Sequence, residues 1–202
     1  MSPVLAFDSS GPWCSAALLL NGRMILRDEA MTKGQAERLI PMLEELLAEA
    51  GIGWADLRAL AVGTGPGNFT GVRIAVAAAR GLALGLGIPV VGVTRLEAAA
   101  HGLPRPLRVI EDARRGEVYV QDFLESGPGH ASIAPAGSDT ASMPVTGSAA
   151  GAAALAAAMP LAEAIARIGA TRARTPQARP APFYLRGADA VPGSDPPPVI
   201  LP

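Results

Sequence analysis

One stretch, residues 59–87, limits the folds open to this chain more than any other part of its sequence. Residues 59–62 form a short apolar run with the length and composition of a buried strand. A dense set of glycine and proline residues then predicts a tight loop: Gly63, Gly65, Pro66 and Gly67. Asn68 and Thr70 are suitable N-cap residues for the Ala- and Leu-rich segment that begins at Gly71. The sequence therefore predicts a strand, a glycine loop and a long helix in succession.

A glycine loop before a helix can bind an anion, because its backbone N–H groups converge on one point. The spacing here lacks the Lys-Ser or Lys-Thr pair of a P-loop and the third glycine of a dinucleotide-binding loop. We therefore favour a purely structural loop. Phosphate binding stays open as the alternative, with possible nucleotide contacts at Asp8, Ser9, Gly65, Gly67, Asn68 and Thr70.

Asp8 is the best single candidate for a catalytic acid, because it ends the first apolar run, residues 4–8. Its place resembles that of the strand-end acid of actin-like ATPases, which holds metal-bound water near the phosphates. We favour a simpler role, in which Asp8 caps a turn through the backbone amides of Ser9 and Ser10. The chain has no Gly-x-Ser-x-Gly elbow, and neither histidine stands in a triad context, so we expect no catalytic residues.

Composition narrows the remaining function classes. The net charge of −1 is too small for bulk electrostatics alone to hold RNA, and Lys33 is the only lysine. Cys14 is the only cysteine, which excludes an internal disulfide and a multi-cysteine metal site. His101 and His130 lie in Gly/Pro-rich neighbourhoods and fit surface loops better than metal sites. Without a signal peptide or an uninterrupted apolar run of about 18 residues, we expect a cytoplasmic protein with no membrane contact.

The first 103 residues predict one α/β lobe, with the glycine loop and its helix at the centre. Asn21-Gly22 separates apolar segments and predicts a type I′ hairpin turn within a three-stranded antiparallel meander. Residues 35–50 then change to helical periodicity, and Gly51 ends that helix. Both predicted helices carry apolar or small residues beyond a single stripe, which fits either a partner surface or burial in the core. The candidate residues for a partner interface are Leu39, Ile40, Met42, Leu43, Leu46 and Leu47 on the first helix and Gly71, Arg73, Ala75, Ala78 and Leu82 on the second.

Pro104 and Pro106 mark the predicted start of a second, shorter lobe, residues 104–190. Residues 107–110, 117–123 and 144–147 predict strands, and residues 148–158 and 161–168 predict helices. Residues 126–144 are rich in Gly, Ala, Ser and Pro and predict a loop or linker, and residues 191–202 predict a disordered tail. The arginines near the end favour a solvated surface, and a contact with tRNA stays open.

Five motifs occur in a fixed order along the chain. They are Phe7-Asp8-Ser9-Ser10, residues 65–74 (GPGNFTGVRI), residues 87–93 (GIPVVGV), residues 112–119 (DARRGEVY) and Phe183-Tyr184-Leu185-Arg186. Together they resemble the bacterial TsaB family, a non-catalytic subunit of the machinery that makes tRNA threonylcarbamoyladenosine. The resemblance is close over residues 1 to about 123 and loose in the tail.

The resemblance implies an actin-like (ASKHA, ribonuclease H-like) α/β fold of two related lobes, with the second lobe reduced. It implies a heterodimer with the transferase subunit TsaD, cooperation with the ATPase TsaE, and a homodimer when TsaD is absent. It places the interface on residues 35–50 and 70–86, gives this chain no metal or intrinsic cofactor, and leaves ATP and Mg²⁺ to the complex. tRNA would be met only through that complex. The alternative from the residues is a stand-alone ATPase or small-molecule kinase of the same fold, with Asp8 and the glycine loop at the phosphates.

Overall fold

The computed structural model describes residues 2–138 and 142–186 as a five-stranded mixed sheet and a second, smaller sheet. The predicted meander is present as β1 (Val4–Asp8), β2 (Trp13–Leu20) and β3 (Arg23–Ala30). Asn21 and Gly22 turn the second hairpin with φ values of 52° and 85°, as a type I′ turn requires. This confirms the hairpin predicted from the sequence.

Two parallel strands complete the first sheet. β4 (Ala59–Gly63) pairs with β1, and β5 (Val90–Val93) pairs with β4, so the strand order is β3-β2-β1-β4-β5. The predicted loop and helix connect these two strands, and the helix is α2 (Phe69–Leu86). Asn68 is its N-cap, since the side-chain oxygen accepts a hydrogen bond from Gly71 N at 2.9 Å.

Helices cover both faces of the first sheet. α1 (Gln35–Glu49) and α2 pack on one face and share a core with residues such as Phe7, Leu18 and Leu60. α4 (Leu161–Arg172) covers the other face, where Gly169 lies so close to β4 that an added Cβ would be 2.4 Å from Ala61 Cβ. β1 and β4 are thereby buried from both sides, as their apolar sequences predict, and the edge strand β5 is buried at Val91 and Val93.

The second sheet begins after α3 (Arg95–Ala100). Its strands are β6 (Leu107–Arg114), β7 (Glu117–Leu124), β8 (Gly127–Pro128), β9 (Ser132–Pro135) and β10 (Val145–Thr146). The strand order is β10-β6-β7-β8, with β9 paired to β7. A third core lies between this sheet and α3, around Leu96, Leu107 and Phe123. The α/β class predicted from the sequence is confirmed.

Three details of the second half differ from the sequence expectation. Residues 148–158 form turns and one isolated bridge at Leu155, where a helix was predicted, because Gly147 and Gly151 have φ values of 115° and 80°. Residues 126–144, predicted as a linker, contribute β8 and β9. α4 belongs by sequence to the second lobe and nevertheless packs on the first sheet. The predicted tail, residues 191–202, lies outside the described residues.

By length and composition alone, α2 would also pass as a membrane-spanning helix, with a mean hydropathy of 1.4 over 18 residues. This is weak evidence, because core helices pass the same test. One side of α2 is in fact packed on the first sheet, through Val72, Ala75, Val76, Ala79 and Ala83.

Candidate functional site

A cleft of about 640 Å³ lies between the two sheets, a volume within the range of small-molecule sites. The β1–β2 loop, the glycine loop, the start of α3, β6 and the last described residues form its walls. The side chains that matter below are Ser10, Trp13, Asn68, Phe69, Arg95, Ser148 and Tyr184.

Asp8 lies beneath this cleft and is fully buried. Its Oδ2 accepts hydrogen bonds from Ser10 N at 3.1 Å, from Ser10 Oγ at 2.9 Å and from Trp13 Nε1 at 3.3 Å. Burial raises the pKa of the carboxyl above its ordinary 3.8, and these hydrogen bonds and the charge of Arg95 oppose that shift. Asp8 therefore fixes the β1–β2 loop, and of the two amides in the turn-capping hypothesis the Ser10 amide makes the expected hydrogen bond.

The other oxygen of Asp8 packs against the glycine loop. Oδ1 has no hydrogen-bond partner among the described residues, and a Cβ added at Gly63 would be 2.0 Å from it. An added Cβ at Gly67 would be 2.4 Å from Ser10 O, and one at Gly71 would be 1.8 Å from Ser9 O. Glycine is required at these three positions because Asp8, Ser9 and Ser10 lie too close to leave room for a side chain.

Hydrogen bonds hold the two loops together. Asn68 N donates to Ser10 O at 2.6 Å, and Ser9 Oγ donates to Gly71 O at 2.8 Å. The loop amide of Asn68 is thus already engaged within the chain, which leaves it unable to bind a phosphate. The contacts favour the structural interpretation of the glycine motif.

A polar network crosses the cleft from one sheet to the other. Arg95, at the start of α3, forms an ion pair of 2.7 Å with Glu111 on β6, and both side chains are largely buried. Glu111 also accepts a hydrogen bond from Ser148 Oγ at 2.8 Å. The Arg95 guanidinium lies 4.9 Å from the centre of the Trp13 ring, a cation–π distance. This network joins the two sheets through paired charges.

Arg73 lies at the rim of the cleft with two half-exposed aromatic rings. Its guanidinium carbon is 3.6 Å from the centre of the Phe69 ring, and its Nε donates to Tyr184 Oη at 2.9 Å. Phe69 and Tyr184 stack with ring centres 5.0 Å apart. The sequence motifs at residues 65–74 and 183–186, which are far apart in the chain, meet at this point.

Only two of the six predicted nucleotide-contacting residues line the cleft. Gly67 and Asn68 line the cleft, whereas Asp8, Ser9 and Gly65 are buried behind it and Thr70 is exposed on α2. Sequence reasoning missed Trp13 and Arg95, which line the cleft, and Glu111, which forms the ion pair with Arg95. Their local patterns gave no signal, because only the packing of the two sheets brings them together.

The predicted interface residues also separate into two groups. The buried ones are Leu39, Met42, Leu43, Leu46, Leu47, Gly71 and Ala75, which cannot touch a partner while the chain is folded. Ile40, Ala78 and Leu82 are partly buried against the same core, and Arg73 is exposed. On α1, burial in the core therefore accounts for most of the apolar pattern.

α2 has a second apolar face that points away from the core. Ile74, Ala77, Gly81 and Leu84 follow each other at spacings of three and four residues. Ile74 is half-buried against the edge of the core, Ala77 and Gly81 are exposed, and Leu84 is 81% exposed. A Cβ added at Gly81 or Gly85 would meet no atom within 4 Å. We call these five residues the outer α2 face.

Within residues 2–138 and 142–186, no three His, Cys, Asp or Glu side chains are grouped so that they could hold a metal ion. His101 and His130 lie apart, with His130 exposed in the loop between β8 and β9. The structure thus offers no protein-built cation centre in the part of the chain that it describes.

Comparison with known proteins gives the family. The chain is 40% identical over 125 residues to the tRNA threonylcarbamoyladenosine biosynthesis protein TsaB of Escherichia coli, an alignment that spans 59% of this chain and 54% of that protein. Its structure matches YeaZ from Pseudomonas aeruginosa with a TM-score of 0.69 at 30% identity, covering 92% of this chain and all of that one. This chain belongs to the TsaB (YeaZ) family.

Two further matches agree with membership of the TsaB family. A family model described as TsaD, tRNA N6-adenosine threonylcarbamoyltransferase, matches residues 29–166. A second Pseudomonas aeruginosa structure, of an uncharacterized protein with similarity to peptidase YeaZ, matches with a TM-score of 0.74 at 31% identity and coverages of 92% and 100%. The actin-like fold class implied by the resemblance is therefore confirmed. The chain nevertheless spans only about half the length of the curated TsaB proteins it matches.

Proposed function

We propose that this chain is a non-catalytic scaffolding subunit in the synthesis of tRNA threonylcarbamoyladenosine, and that it forms a heterodimer with TsaD. The names of its relatives support the pathway. In this proposal TsaE, ATP and Mg²⁺ act in the same cytoplasmic complex, and tRNA is met only through it. In the absence of TsaD, two copies of this chain associate through the same surface.

The outer α2 face is the observation that carries this proposal. Ala77, Gly81, Leu84 and Gly85 are exposed along one side of α2, and together with the half-buried Ile74 they form an apolar stripe about 17 Å long. A stripe of this kind on a folded chain is typical of a surface that another protein covers. Arg73 and Arg80 flank it and would give the rim of the interface its polar contacts.

The small residues on this face indicate what kind of surface covers it. Glycine inside a helix costs about 1 kcal/mol relative to alanine, and the chain's own packing does not require Gly81 or Gly85. A helix from a partner can approach closely over glycine and alanine. We therefore propose helix-against-helix docking, within an interface that would bury on the order of 1,200–2,000 Å² in total.

The rigid attachment of this face supports a scaffolding role. The inner side of α2 is fixed to the first sheet, and its N-terminus is tied to the β1–β2 loop through Ser9, Ser10 and Asn68. A partner helix docked on the outer side would therefore be held in one position. The chain would stabilise the active arrangement of TsaD and form no covalent bond itself.

The alternative, a stand-alone ATPase or kinase, rests on Asp8 and the size of the cleft. Asp8 is covered by Ser10 and Trp13, and its raised pKa makes it a poorer ligand for a metal ion. ATP hydrolysis by the purified chain, lost in Asp8→Asn, would support this alternative over scaffolding.

The interface is tested by Leu84→Glu, measured as the affinity for purified TsaD by titration calorimetry. Because Leu84 is 81% exposed, the variant should fold normally. If Leu84 is an interface anchor, a loss of about 2 kcal/mol or more, roughly 30-fold in affinity, is expected. Leu124→Glu is the matched control, since Leu124 is also exposed but lies on β7 of the second sheet.

Equal TsaD affinity of wild type and Leu84→Glu would contradict the proposed interface. Modification of tRNA in a mixture of TsaD, TsaE, ATP and tRNA, with and without this chain, tests the pathway separately. Full modification without the chain would contradict the scaffolding role even if the two proteins bind each other.

A further inference from the structure

A second cavity, of about 390 Å³, lies on a different part of the molecule from the cleft, between α3, α4 and β7. Glu97 and His101 line it from α3 and its end, Thr171 and Arg172 from α4, and Phe123 and Leu124 from β7. Arg105 projects into it from the loop before β6. Neither the glycine loop nor the outer α2 face contributes to it.

Arg105 is held at this cavity without an acidic partner. Its Nη1 donates to Ala100 O at 3.0 Å and to Leu103 O at 3.1 Å, and its guanidinium lies 5.1 Å from the centre of the Phe123 ring. Among the described residues, no carboxylate forms an ion pair with it. The Nε and Nη2 groups make no hydrogen bond in the same part of the chain. A fixed guanidinium with free donors is suited to bind an oxyanion.

The other charges around the cavity leave it positive. Arg172 is paired with Glu97, with an Nη1–Oε2 distance of 3.1 Å, and Arg167 is paired with Glu163 on α4. Burial, followed by the charge of Arg167, lowers the pKa of His101 below 6.5, and Arg105 and Arg172 act in the same direction. Glu97 is the acid that opposes this shift. Burial and the positive environment therefore both favour the neutral imidazole.

We infer that this cavity is a binding site for a phosphate monoester of a small molecule, with the phosphate at Arg105, His101 and Arg172. The apolar wall, formed by Leu124, Pro128 and Ile168, would receive the organic part of the ligand. The cavity is several times larger than a phosphate group, and its volume lies in the range found for small-molecule sites. This inference is independent of the proposed function.

The first experiment uses inorganic sulfate as the probe, because its charge does not change between about pH 5 and pH 8. His101 and His130 are the only histidines, so their imidazole NMR signals can be assigned with His101→Gln. Sulfate at constant ionic strength should shift the His101 signal saturably and raise its pKa. A rise of about one unit would mean about tenfold tighter sulfate binding to the protonated form. His130 is the internal control.

Two variants distinguish loss of the site from loss of the fold. Arg105→Gln should abolish the sulfate effect, although it also removes two hydrogen bonds to the end of α3. Leu124→Glu places a negative charge at the mouth of the cavity on a half-exposed side chain, and Leu124→Gln is its uncharged match. We expect at least a threefold weaker sulfate effect in Leu124→Glu than in Leu124→Gln, with unchanged melting temperatures.

The same titration with a sugar or nucleoside monophosphate, and then with a short single-stranded RNA, distinguishes a small-molecule phosphate from the phosphates of an RNA backbone. Tighter binding of the monophosphate than of sulfate, lost in Arg105→Gln, would support the inference. Binding of RNA alone would overturn it in favour of a backbone contact. Parallel, unsaturated shifts of His101 and His130 with sulfate would show an ionic-strength effect only and would also overturn it.

Discussion

Two glycines of α2 should respond in opposite ways to the same substitution. Gly71→Ala places a Cβ 1.8 Å from Ser9 O and 2.9 Å from the carbonyl carbon of Ser9, whereas Gly81→Ala meets no atom within 4 Å. Both residues lie in the helix, and neither is among the glycines with positive φ. The pair therefore separates the helix propensity of alanine from the packing of the glycine motif.

The expected magnitudes follow from these contacts. Gly81→Ala should stabilise the chain by about 0.5–1 kcal/mol, since alanine is the better helix former. In Gly71→Ala the same gain is opposed by overpacking, which typically costs about 1–3 kcal/mol. Separating α2 from the β1–β2 loop would also weaken the bonds from Ser9 Oγ and Asn68 N, worth about 1 kcal/mol each. We expect a net loss of about 2–4 kcal/mol in Gly71→Ala.

Urea unfolding of the purified chain, followed by circular dichroism, measures both effects. The midpoint should rise in Gly81→Ala and fall in Gly71→Ala, with an unchanged dependence of the free energy of unfolding on urea. Stabilisation of both variants would refute the packing role of Gly71. Destabilisation of both would show that the surroundings of Gly81 are less open than the structure indicates.

Three further predictions concern buried groups. Because burial raises the pKa of Asp8, the native state retains the Asp8 proton above pH 3.8, so the free energy of unfolding should fall as pH rises from 3.8 through the raised value. Urea midpoints measured over a pH series should show this fall in the wild type and lose it in Asp8→Asn. An equal slope in the two proteins would contradict the prediction. Burial also raises the pKa of the Cys14 thiol to about 11. A thiol reagent at about pH 8 should therefore modify Cys14 far more slowly in the native chain than in the unfolded chain. Equal rates of modification would contradict this prediction. Leu43→Ala should cost about 2–5 kcal/mol in thermal unfolding, because Leu43 is fully buried, and a loss below about 1 kcal/mol would place Leu43 outside the core.

Much of the first sheet could be predicted from local sequence. Asn21-Gly22, the glycine loop and the helical spacing of Leu39, Leu43 and Leu46 each specify one local structure, and neighbouring elements agree with it. The second half was less predictable, because alanine-rich residues 148–158 have high helix propensity but little apolar surface to bury against a sheet. Propensity without a packing partner did not produce a helix there.

The candidate site depended on contacts that local patterns do not encode. The two serines after Asp8 predict a turn-capping role, and the structure confirms the hydrogen bond from the Ser10 amide and adds one from the Ser10 hydroxyl. The pairing of Arg95 with Glu111 could not be predicted, because each lies in an ordinary helix or strand pattern and they meet only when the two sheets pack. For the apolar residues of α1, helical periodicity predicted the helix correctly, but periodicity alone does not distinguish a core stripe from a partner surface.

The glycines of α2 bear on that ambiguity for the second helix and support the proposed partner surface. Wherever a glycine on the inner side is needed, the structure shows the atom that excludes a side chain, as Ser9 O does at Gly71. Gly81 and Gly85 have no such atom in the described chain, although each weakens the helix that carries it. A glycine that weakens its own helix, with no close contact inside the chain to require it, is expected where another molecule packs against the helix. The proposed partner surface therefore consists of exposed residues of α2 such as Gly81, Gly85 and Leu84, and the buried leucines of α1 are not part of it.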